Sequence, residues 1–325
     1  MNNPDIAALS EQISKAECRL RGHVRETPLL SSPLLDKKLR CRLFLKAEAL
    51  QMSGSFKLRG ALNKLLSLSA EDAHRPVLAY SSGNHAQAVA LACRLLKKKA
   101  TILMPHDAPR IKIARTRALG ADIHFYDRRN DSREEIAAQM SAREQAVLVP
   151  PFDDYAVIAG QGTIGLECIA QMPAPPTHVL APASGGGLIA GLALALNKAW
   201  PGCTLLAAEP ATYNDHELSL AAGERRSSTQ DGSALCDALL SPLPGALTFP
   251  INRLLLGGAL AVEDQNIFQA MRVAFEEFKL VLEPGGAAAL AAVLAYEERF
   301  AGGTVLVIGS GGNVDPETFT RSLAG

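Results

Sequence analysis

Hydrophobic and polar positions alternate along the chain in segments that are typical of helices and strands. Residues 4–22 place apolar side chains at spacings of three and four, which predicts an amphipathic helix. Residues 42–46 alternate apolar and polar positions, as a half-buried strand does. Between residues 77 and 150, and again between 160 and 308, short apolar runs precede a glycine-containing turn and a helical pattern. These repeated units predict an α/β fold with mainly parallel sheets.

The composition is that of an ordinary globular protein. The chain has 325 residues, of which 48% are hydrophobic and 20% are charged, and its 33 basic residues equal its 33 acidic residues in number. No basic excess indicates a nucleic-acid or membrane partner, and no apolar run is long enough to span a bilayer. The six cysteines are scattered, and the N-terminal residues lack a signal pattern. We therefore expect a cytoplasmic protein with reduced thiols.

The two series of strand–turn–helix units predict two domains. We expect residues 71–153 to form a small α/β domain that is inserted into a larger domain, made of residues 1–70 and 154–325. Ligands of such folds bind at the carboxyl ends of parallel strands, where the glycine-containing turns lie. The candidate chemistry is therefore sought in these turns.

Residues 53–61 (SGSFKLRGA) place Lys57 between Phe56 and Leu58 in a loop rich in glycine and serine. An ammonium group against an apolar wall has a lowered pKa, and its amine becomes nucleophilic. Such a lysine suits a Schiff base with an aldehyde cofactor. The alternative is an exposed lysine beside Arg59 at a solvated helix start.

A second turn, residues 184–188, follows a predicted strand and precedes a predicted helix. It comprises Ser184, Gly185, Gly186, Gly187 and Leu188. Its backbone amides could wrap a phosphate at the helix N-terminus. Two alternatives remain open. The glycines could serve only a tight turn, or, with Gly191 and the later Glu209, they could form a dinucleotide fingerprint.

Two further turns carry polar side chains. The first, at a predicted helix start, suits a carboxylate and a phenolic oxygen, or else simply caps the helix. Its polar residues are Ser81, Ser82, Asn84 and His85. The second follows the last predicted strand, where Ser310 could bring a hydroxyl close to a heterocycle or could merely belong to a turn.

Together these blocks resemble the fold-type II pyridoxal phosphate enzymes, in particular the serine/threonine dehydratase and serine racemase family. The matching stretches, in the family's order, are residues 53–61 (SGSFKLRGA), 81–87 (SSGNHAQ), 157–167 (VIAGQGTIGLE), 184–191 (SGGGLIAG), 209–210 (EP), 282–285 (LEPG) and 310–315 (SGGNVD). The resemblance implies a tryptophan synthase β-like fold of two three-layer α/β domains, with the cofactor in the cleft between them. It also implies a homodimer.

The resemblance assigns cofactor roles to several residues. Lys57 would form the Schiff base, Phe56 would pack on the ring, Asn84 would bind the phenolic oxygen, residues 184–188 would hold the phosphate and Ser310 would face the pyridine nitrogen. Glu283 matches a family position near the cofactor, or it is a helix N-terminal Glu favoured by the dipole. A neutral serine at the ring nitrogen makes the ring a weaker electron sink than a carboxylate would, which favours expulsion of a β-leaving group.

The implied reaction is the conversion of L-threonine or L-serine to a 2-oxo acid and ammonia. Lys57 would remove the α-proton, and the amides of residues 81–85 would hold the substrate carboxylate. Ser82 aligns with a racemase acid/base, or it only binds the carboxylate. Arg133 could bind a second carboxylate, as in 3-hydroxyaspartate, or could be an exposed arginine paired with nearby Glu residues. Serine racemase and 3-hydroxyaspartate ammonia-lyase are therefore alternatives, and a dinucleotide-binding oxidoreductase is the rival of a different class.

The resemblance also implies a divalent cation site. Glu209, the backbone carbonyl of Tyr213 and Asp215 match its spacing, and such oxygen ligands suit Mg²⁺ or Ca²⁺. The alternative is a solvated acidic turn. Two departures from the family pattern are the serine at position 184, where relatives often have a glycine, and residues 236–238 (CDA), where many have Ala-Asp-Gly.

Overall fold

The computed structural model describes residues 4–108, 110–127, 129–228 and 235–324. Its strands are β1 Leu29–Ser31, β2 Arg42–Lys46, β3 Val77–Tyr80, β4 Ala100–Pro105, β5 Asp122–Tyr126, β6 Val147–Leu148, β7 His178–Pro182, β8 Thr204–Pro210, β9 Gly258–Val262 and β10 Thr304–Ile308. Its α-helices are α1 Ile6–Leu20, α2 Pro33–Leu39, α3 Lys57–Leu66, α4 Asn84–Leu95, α5 Arg110–Ala118, α6 Arg133–Glu144, α7 Tyr155–Gln171, α8 Gly187–Ala199, α9 Asp215–Ala222, α10 Thr248–Leu255, α11 Asp264–Phe278, α12 Pro284–Ala295, α13 Glu297–Phe300 and α14 Pro316–Leu323. Within these residues, every helix is too short or too polar to cross a membrane.

The strands of the described residues form two sheets. The larger has the order β1-β2-β10-β7-β8-β9, with β1 antiparallel to β2 and every other pair parallel. The smaller has the order β5-β4-β3-β6 and is wholly parallel. The predicted α/β class with mainly parallel sheets is therefore confirmed. The strands of the smaller sheet lie within residues 77–148, and the domain boundaries at 70/71 and 153/154 stay predictions.

The larger sheet is the middle layer of three. Alternate residues of β10 face opposite sides, as the strand period requires. Val305 and Val307 join a core with α11 and α12, whereas Leu306 and Ile308 join a second core with α7 and α8. All four side chains are fully buried. The helix-covered faces leave the ends of the strands free to form a site.

Glycines allow α3 and α7 to cross closely. A Cβ on Gly160 of α7 would lie 2.6 Å from the backbone carbonyl oxygen of Arg59. A Cβ on Gly60 of α3 would lie 2.3 Å from the side-chain Nε2 of Gln161. The helix α7 begins at Tyr155 rather than at residue 160, because the Asp154 carboxylate caps its first turn. The close crossing of α3 and α7 fixes the start of α3, which is where Lys57 lies.

Buried ion pairs also hold the start of α3. The guanidinium of Arg59 is fully buried and contacts Glu48 at 2.7 Å and Glu167 at 2.5 Å. Lys46, also fully buried, donates to the same Glu167 carboxylate at 2.6 Å. The alternative of a solvated helix start at Arg59 is therefore wrong.

Candidate active site

One cleft between the two sheets brings together nearly all of the candidate residues. It is lined by Phe56, Lys57, Ser81, Ser82, Asn84, His85, Arg133, Ser184, Gly185, Gly186, Gly187, Leu188, Glu283 and Ser310. Sequence analysis did not single out Tyr80, Pro151, Phe152 and residues 239–241, which also line it. The candidate cation ligands lie elsewhere and are described below.

Lys57 is the first residue of α3 and projects into this cleft. Its Nζ donates to the carbonyl oxygen of Pro151 at 2.6 Å and lies 5.0 Å from the centre of the Phe56 ring. Burial lowers the pKa of the Lys57 amine to about 8, because the charged form loses hydration. About a tenth of the amine is therefore neutral and nucleophilic at pH 7, far more than for an exposed lysine.

The junction of β7 and α8 contains Ser184 and the three glycines 185–187, so it carries almost no side chains. Gly186 adopts φ +88 and precedes the first turn of α8, which has no side-chain cap in the structure. A Cβ on Gly185 would lie 2.3 Å from the Phe152 ring. The departure at Ser184 has a use, since its Oγ accepts the backbone N–H of Ser241 at 3.1 Å. The uncapped N–H groups at this helix start can bind an anion.

The Lys57 loop and the Ser310 loop are joined by backbone hydrogen bonds. The N–H of Phe56 donates to the carbonyl oxygen of Ser310 at 3.0 Å, and that of Gly312 donates to Gly54 at 2.9 Å. The Ser310 side chain is buried at the cleft wall. This pairing explains why residues so far apart in sequence lie on the same cleft.

A chain of amides fixes the orientation of Asn84, the first residue of α4. Its Oδ1 accepts from Asn313 Nδ2 at 2.8 Å, and its Nδ2 donates to the carboxylate of Glu283. Burial, and secondly the charge of Asp237, raises the pKa of Glu283 to about 7. The N-cap of α4 is Gly83, and no side chain caps the first turn, so the capping alternative for Ser82 and Asn84 is wrong.

The remaining groups of the α4 loop are polar and partly or fully buried. Ser81 Oγ accepts the N–H of Gly83 at 3.1 Å, and Ser82 lines the cleft beside it. His85 Nε2 lies 2.8 Å from the carbonyl oxygen of Val149, and its Nδ1 is buried without a hydrogen-bond partner among the described residues. Burial and the nearby Lys57 lower the pKa of His85 to about 3, so its ring stays neutral.

Arg133 lies at the edge of the cleft, where α6 begins. Its guanidinium carbon is 5.4 Å from the centre of the Tyr80 ring, and its Nε donates to Glu134 at 2.8 Å. The side chain is 44% exposed. Both features that the sequence offered as alternatives, proximity to the cleft and pairing with a glutamate, are therefore present together.

The candidate cation ligands form a separate, buried cluster at the end of β8. Glu209 and Asp215 are joined there by His216, which sequence analysis missed, and all three are fully buried. The alternative of a solvated acidic turn is therefore wrong. Tyr213 ends a short 3₁₀ turn just before α9. The only sequence signal for His216 as a member of the cluster was its position directly after Asp215.

Glu209 is turned toward α9 and away from the cleft. Its two carboxylate oxygens accept the backbone N–H groups of His216 and Glu217, each at 3.0 Å. Gly191, the last glycine of the apparent dinucleotide fingerprint, lies in the middle of α8 and packs against α7. A Cβ there would lie 2.5 Å from the carbonyl oxygen of Ile158. The geometry therefore does not support the oxidoreductase alternative.

The residues of the cleft fit pyridoxal phosphate. The cradle at Gly185 and Gly186 leaves no room for a Cβ, the N-terminus of α8 has no side-chain cap, and the amine of Lys57 faces the same space. The cation cluster fits a divalent ion, because neither carboxylate oxygen of buried Asp215 has a hydrogen-bond partner among the described residues.

Comparison with known proteins agrees with this site. The model of a family described as pyridoxal-phosphate dependent enzyme matches residues 20–311. An L-threo-3-hydroxyaspartate ammonia-lyase from Pseudomonas sp is 38% identical, with 96% of this chain and 98% of the relative covered. A serine racemase from Oryza sativa subsp. indica is also 38% identical, with 98% and 94% covered. The solved structure of a threonine deaminase from T.th. has a TM-score of 0.88 and 43% identity, with 94% of this chain and 98% of that chain covered.

Proposed function

The chain belongs to the fold-type II pyridoxal-phosphate dependent enzymes, and we propose that it is an ammonia-lyase for L-threonine and L-serine. Relatives of 37–38% identity are named L-threo-3-hydroxyaspartate ammonia-lyase, serine racemase and L-threonine ammonia-lyase. The observation that carries the proposal is the position of Lys57. Its buried amine shares one cleft with two helix N-termini that have no side-chain caps.

The N-terminus of α8 would hold the phosphate of the cofactor through backbone N–H groups, and the amine of Lys57 would hold its aldehyde. When bound, pyridoxal phosphate supplies an electron sink for the charge that develops at the α-carbon of the substrate. Ser310, which lines the cleft, would offer the ring nitrogen a neutral hydroxyl, and this would favour loss of the β-substituent over a long-lived carbanion. Asn84, held in place by Asn313 and Glu283, would offer its side-chain amide to the phenolic oxygen.

The N-terminus of α4 binds the substrate carboxylate, with Ser81 and Ser82 beside it. Lys57 would take the α-proton of the substrate, since its pKa of about 8 suits a general base near neutral pH. Loss of the β-hydroxyl and hydrolysis of the released enamine give a 2-oxo acid and ammonia. The neutral ring of His85 adds no competing positive charge beside Lys57.

A second candidate substrate is 3-hydroxyaspartate, and Arg133 favours it. A guanidinium at the edge of the cleft can bind a second carboxylate in a bidentate manner. The 38% identical relative from Pseudomonas sp is named for that activity. Racemisation of serine is an alternative reaction to elimination. Ser82 lines the cleft and could act as the second acid/base that racemisation needs.

We also assign Glu209, Asp215 and the carbonyl of Tyr213 to a Mg²⁺ or Ca²⁺ site. The unpartnered oxygens of Asp215 support this part of the proposal. The site packs directly against the phosphate-binding turn, since a Cβ on Gly186 would lie 2.6 Å from the His216 ring.

The test is an assay of ammonia and 2-oxo acid release from L-threonine, L-serine, D-serine and L-threo-3-hydroxyaspartate, with and without Mg²⁺. We expect turnover of the first two substrates by a protein with visible absorbance. Activity confined to 3-hydroxyaspartate would replace the leading substrate by the second candidate. Interconversion of L- and D-serine faster than ammonia release would indicate a racemase, and a colourless protein that binds NAD would overturn the proposal.

A further inference from the structure

The cluster of Glu209, Asp215 and His216 buries two carboxylates around a single imidazole. Asp215 has no exposed surface, and neither of its carboxylate oxygens has a hydrogen-bond partner in the part of the chain that the structure describes. Ligand atoms of the three residues all lie within 4.8 Å of one another. Because a buried carboxylate without a partner is costly, the arrangement indicates a bound cation.

The imidazole of His216 faces this space with one nitrogen. Its Nδ1 lies 3.1 Å from Glu209 Oε1 and 3.5 Å from Asp215 Oδ2. The carboxylates, the imidazole and an ion could thus meet at one point. The ligand set that the sequence suggested contains oxygen atoms only, so the His216 imidazole would be an additional ligand.

The other nitrogen of His216 has a partner that can fix its proton. Nε2 lies 3.1 Å from the Asn252 side-chain amide, whose oxygen is buried and has no hydrogen-bond partner among the described residues. The atom that faces Nε2 is Asn252 Nδ2, which also donates to the carbonyl oxygen of Gly186 at 3.4 Å. Turning the amide over would give up that bond, place its oxygen on Nε2–H and leave the Nδ1 lone pair directed at the carboxylates. Histidines that bind metals are commonly oriented in this way by a second hydrogen bond.

We propose that His216 is a ligand of the divalent cation and forms, with Glu209 and Asp215, a set of one nitrogen and two carboxylate donors. The inference rests on the cation site of the proposed function. An imidazole in the set favours Mn²⁺, Co²⁺ or Zn²⁺ over Mg²⁺ and Ca²⁺, which prefer oxygen alone. The bound ion then stiffens the phosphate-binding turn, because His216 packs directly against Gly186.

The experiment uses the cofactor-loaded protein after removal of metal by a chelator and dialysis. Mn²⁺ is added, and pulsed electron paramagnetic resonance measures the coupling of the ion to ¹⁴N. We expect a coupling typical of imidazole in the wild type and in His124→Ala, a control at an exposed histidine of β5. We expect no such coupling in His216→Ala. Calorimetric titration should show Mn²⁺ binding at least about tenfold more tightly than Mg²⁺, with this preference lost in His216→Ala.

A wild-type spectrum without nitrogen coupling overturns the proposal even where His216→Ala fails to fold. Bound Mn²⁺ without nitrogen coupling would overturn the role of His216 and leave an oxygen-only cation site. Absence of Mn²⁺ binding would overturn both the inference and the cation site. In either case the visible absorbance and ammonia release of the same sample test the lyase assignment separately.

Discussion

The Nζ of Lys57 donates to the carbonyl oxygen of Pro151 at 2.6 Å. Lys57 opens α3, which packs on α7, whereas Pro151 follows the last strand of the smaller sheet. The hydrogen bond therefore crosses the cleft between the two sheets. Since the partner is a neutral carbonyl, it offers the ammonium no opposing charge, and burial alone sets the lowered pKa of this amine.

Replacement of Lys57 by Ala is expected to abolish the visible absorbance of the protein and to lower ammonia release about a thousandfold or more. The variant removes the only side-chain amine among the residues that line the described cleft. Absorption spectra and a coupled 2-oxo acid assay measure both effects. Lys64→Ala is the matched control on the same helix and should keep absorbance and activity. A Lys57→Ala protein that stays yellow and active would exclude Lys57 as the cofactor lysine.

Replacement of Arg59 by Ala is expected to destabilise the protein by about 3–5 kcal/mol, because it leaves the fully buried carboxylate of Glu48 without this partner and leaves the partly buried Glu167 paired with Lys46 alone. Urea unfolding followed by circular dichroism measures the change. Arg75→Ala, which removes an exposed arginine paired with Glu71 and Asp72, should change the free energy of unfolding by less than about 1 kcal/mol. Similar effects of the two substitutions would show that the buried network contributes little.

The periodic pattern was enough to predict the α/β class, because parallel strands and their covering helices leave strong local signals. The glycine-rich turns and Lys57 were predicted for the same reason, since each motif lies in a few consecutive residues. The surroundings of Arg59 could not be predicted, because its partner Glu167 is distant in sequence and only the fold brings them together. His216 was missed because nothing in its neighbours' residue types shows which side of α9 is buried. The compartment and the expected homodimer stay predictions.

Replacement of Glu283 by Gln should change how stability depends on pH in the protein freed of cofactor. Burial raises the pKa of Glu283 from 4.5 to about 7, so between these values the folded state holds a proton that the unfolded state has lost. Wild-type stability should therefore fall as pH rises through this range and level off above it. Above pH 7 the Gln variant should be more stable by up to about 3 kcal/mol.

Denaturant unfolding at several pH values measures this Glu283 effect. The control, Glu297→Gln at an exposed position of α13, should follow the wild type at every pH. Parallel curves for Glu283→Gln and the wild type would mean that Glu283 is ionised throughout and that Asn84 donates to a carboxylate at all these pH values.

Replacement of Arg133 by Ala tests which substrate the cleft accepts. Its guanidinium lies over Tyr80 at the cleft edge and is near enough to bind a second carboxylate. Since a hydrogen bond between charged groups contributes about 1.5–3 kcal/mol, the variant should lose about a hundredfold in kcat/KM for 3-hydroxyaspartate. Its kcat/KM for L-serine should change less than about threefold, because serine has no second carboxylate to lose. Arg143→Ala, at an exposed position on the same helix, is the control and should leave both values unchanged. Equal losses for both substrates in Arg133→Ala would show that Arg133 shapes the cleft through Tyr80 and does not select a dicarboxylate.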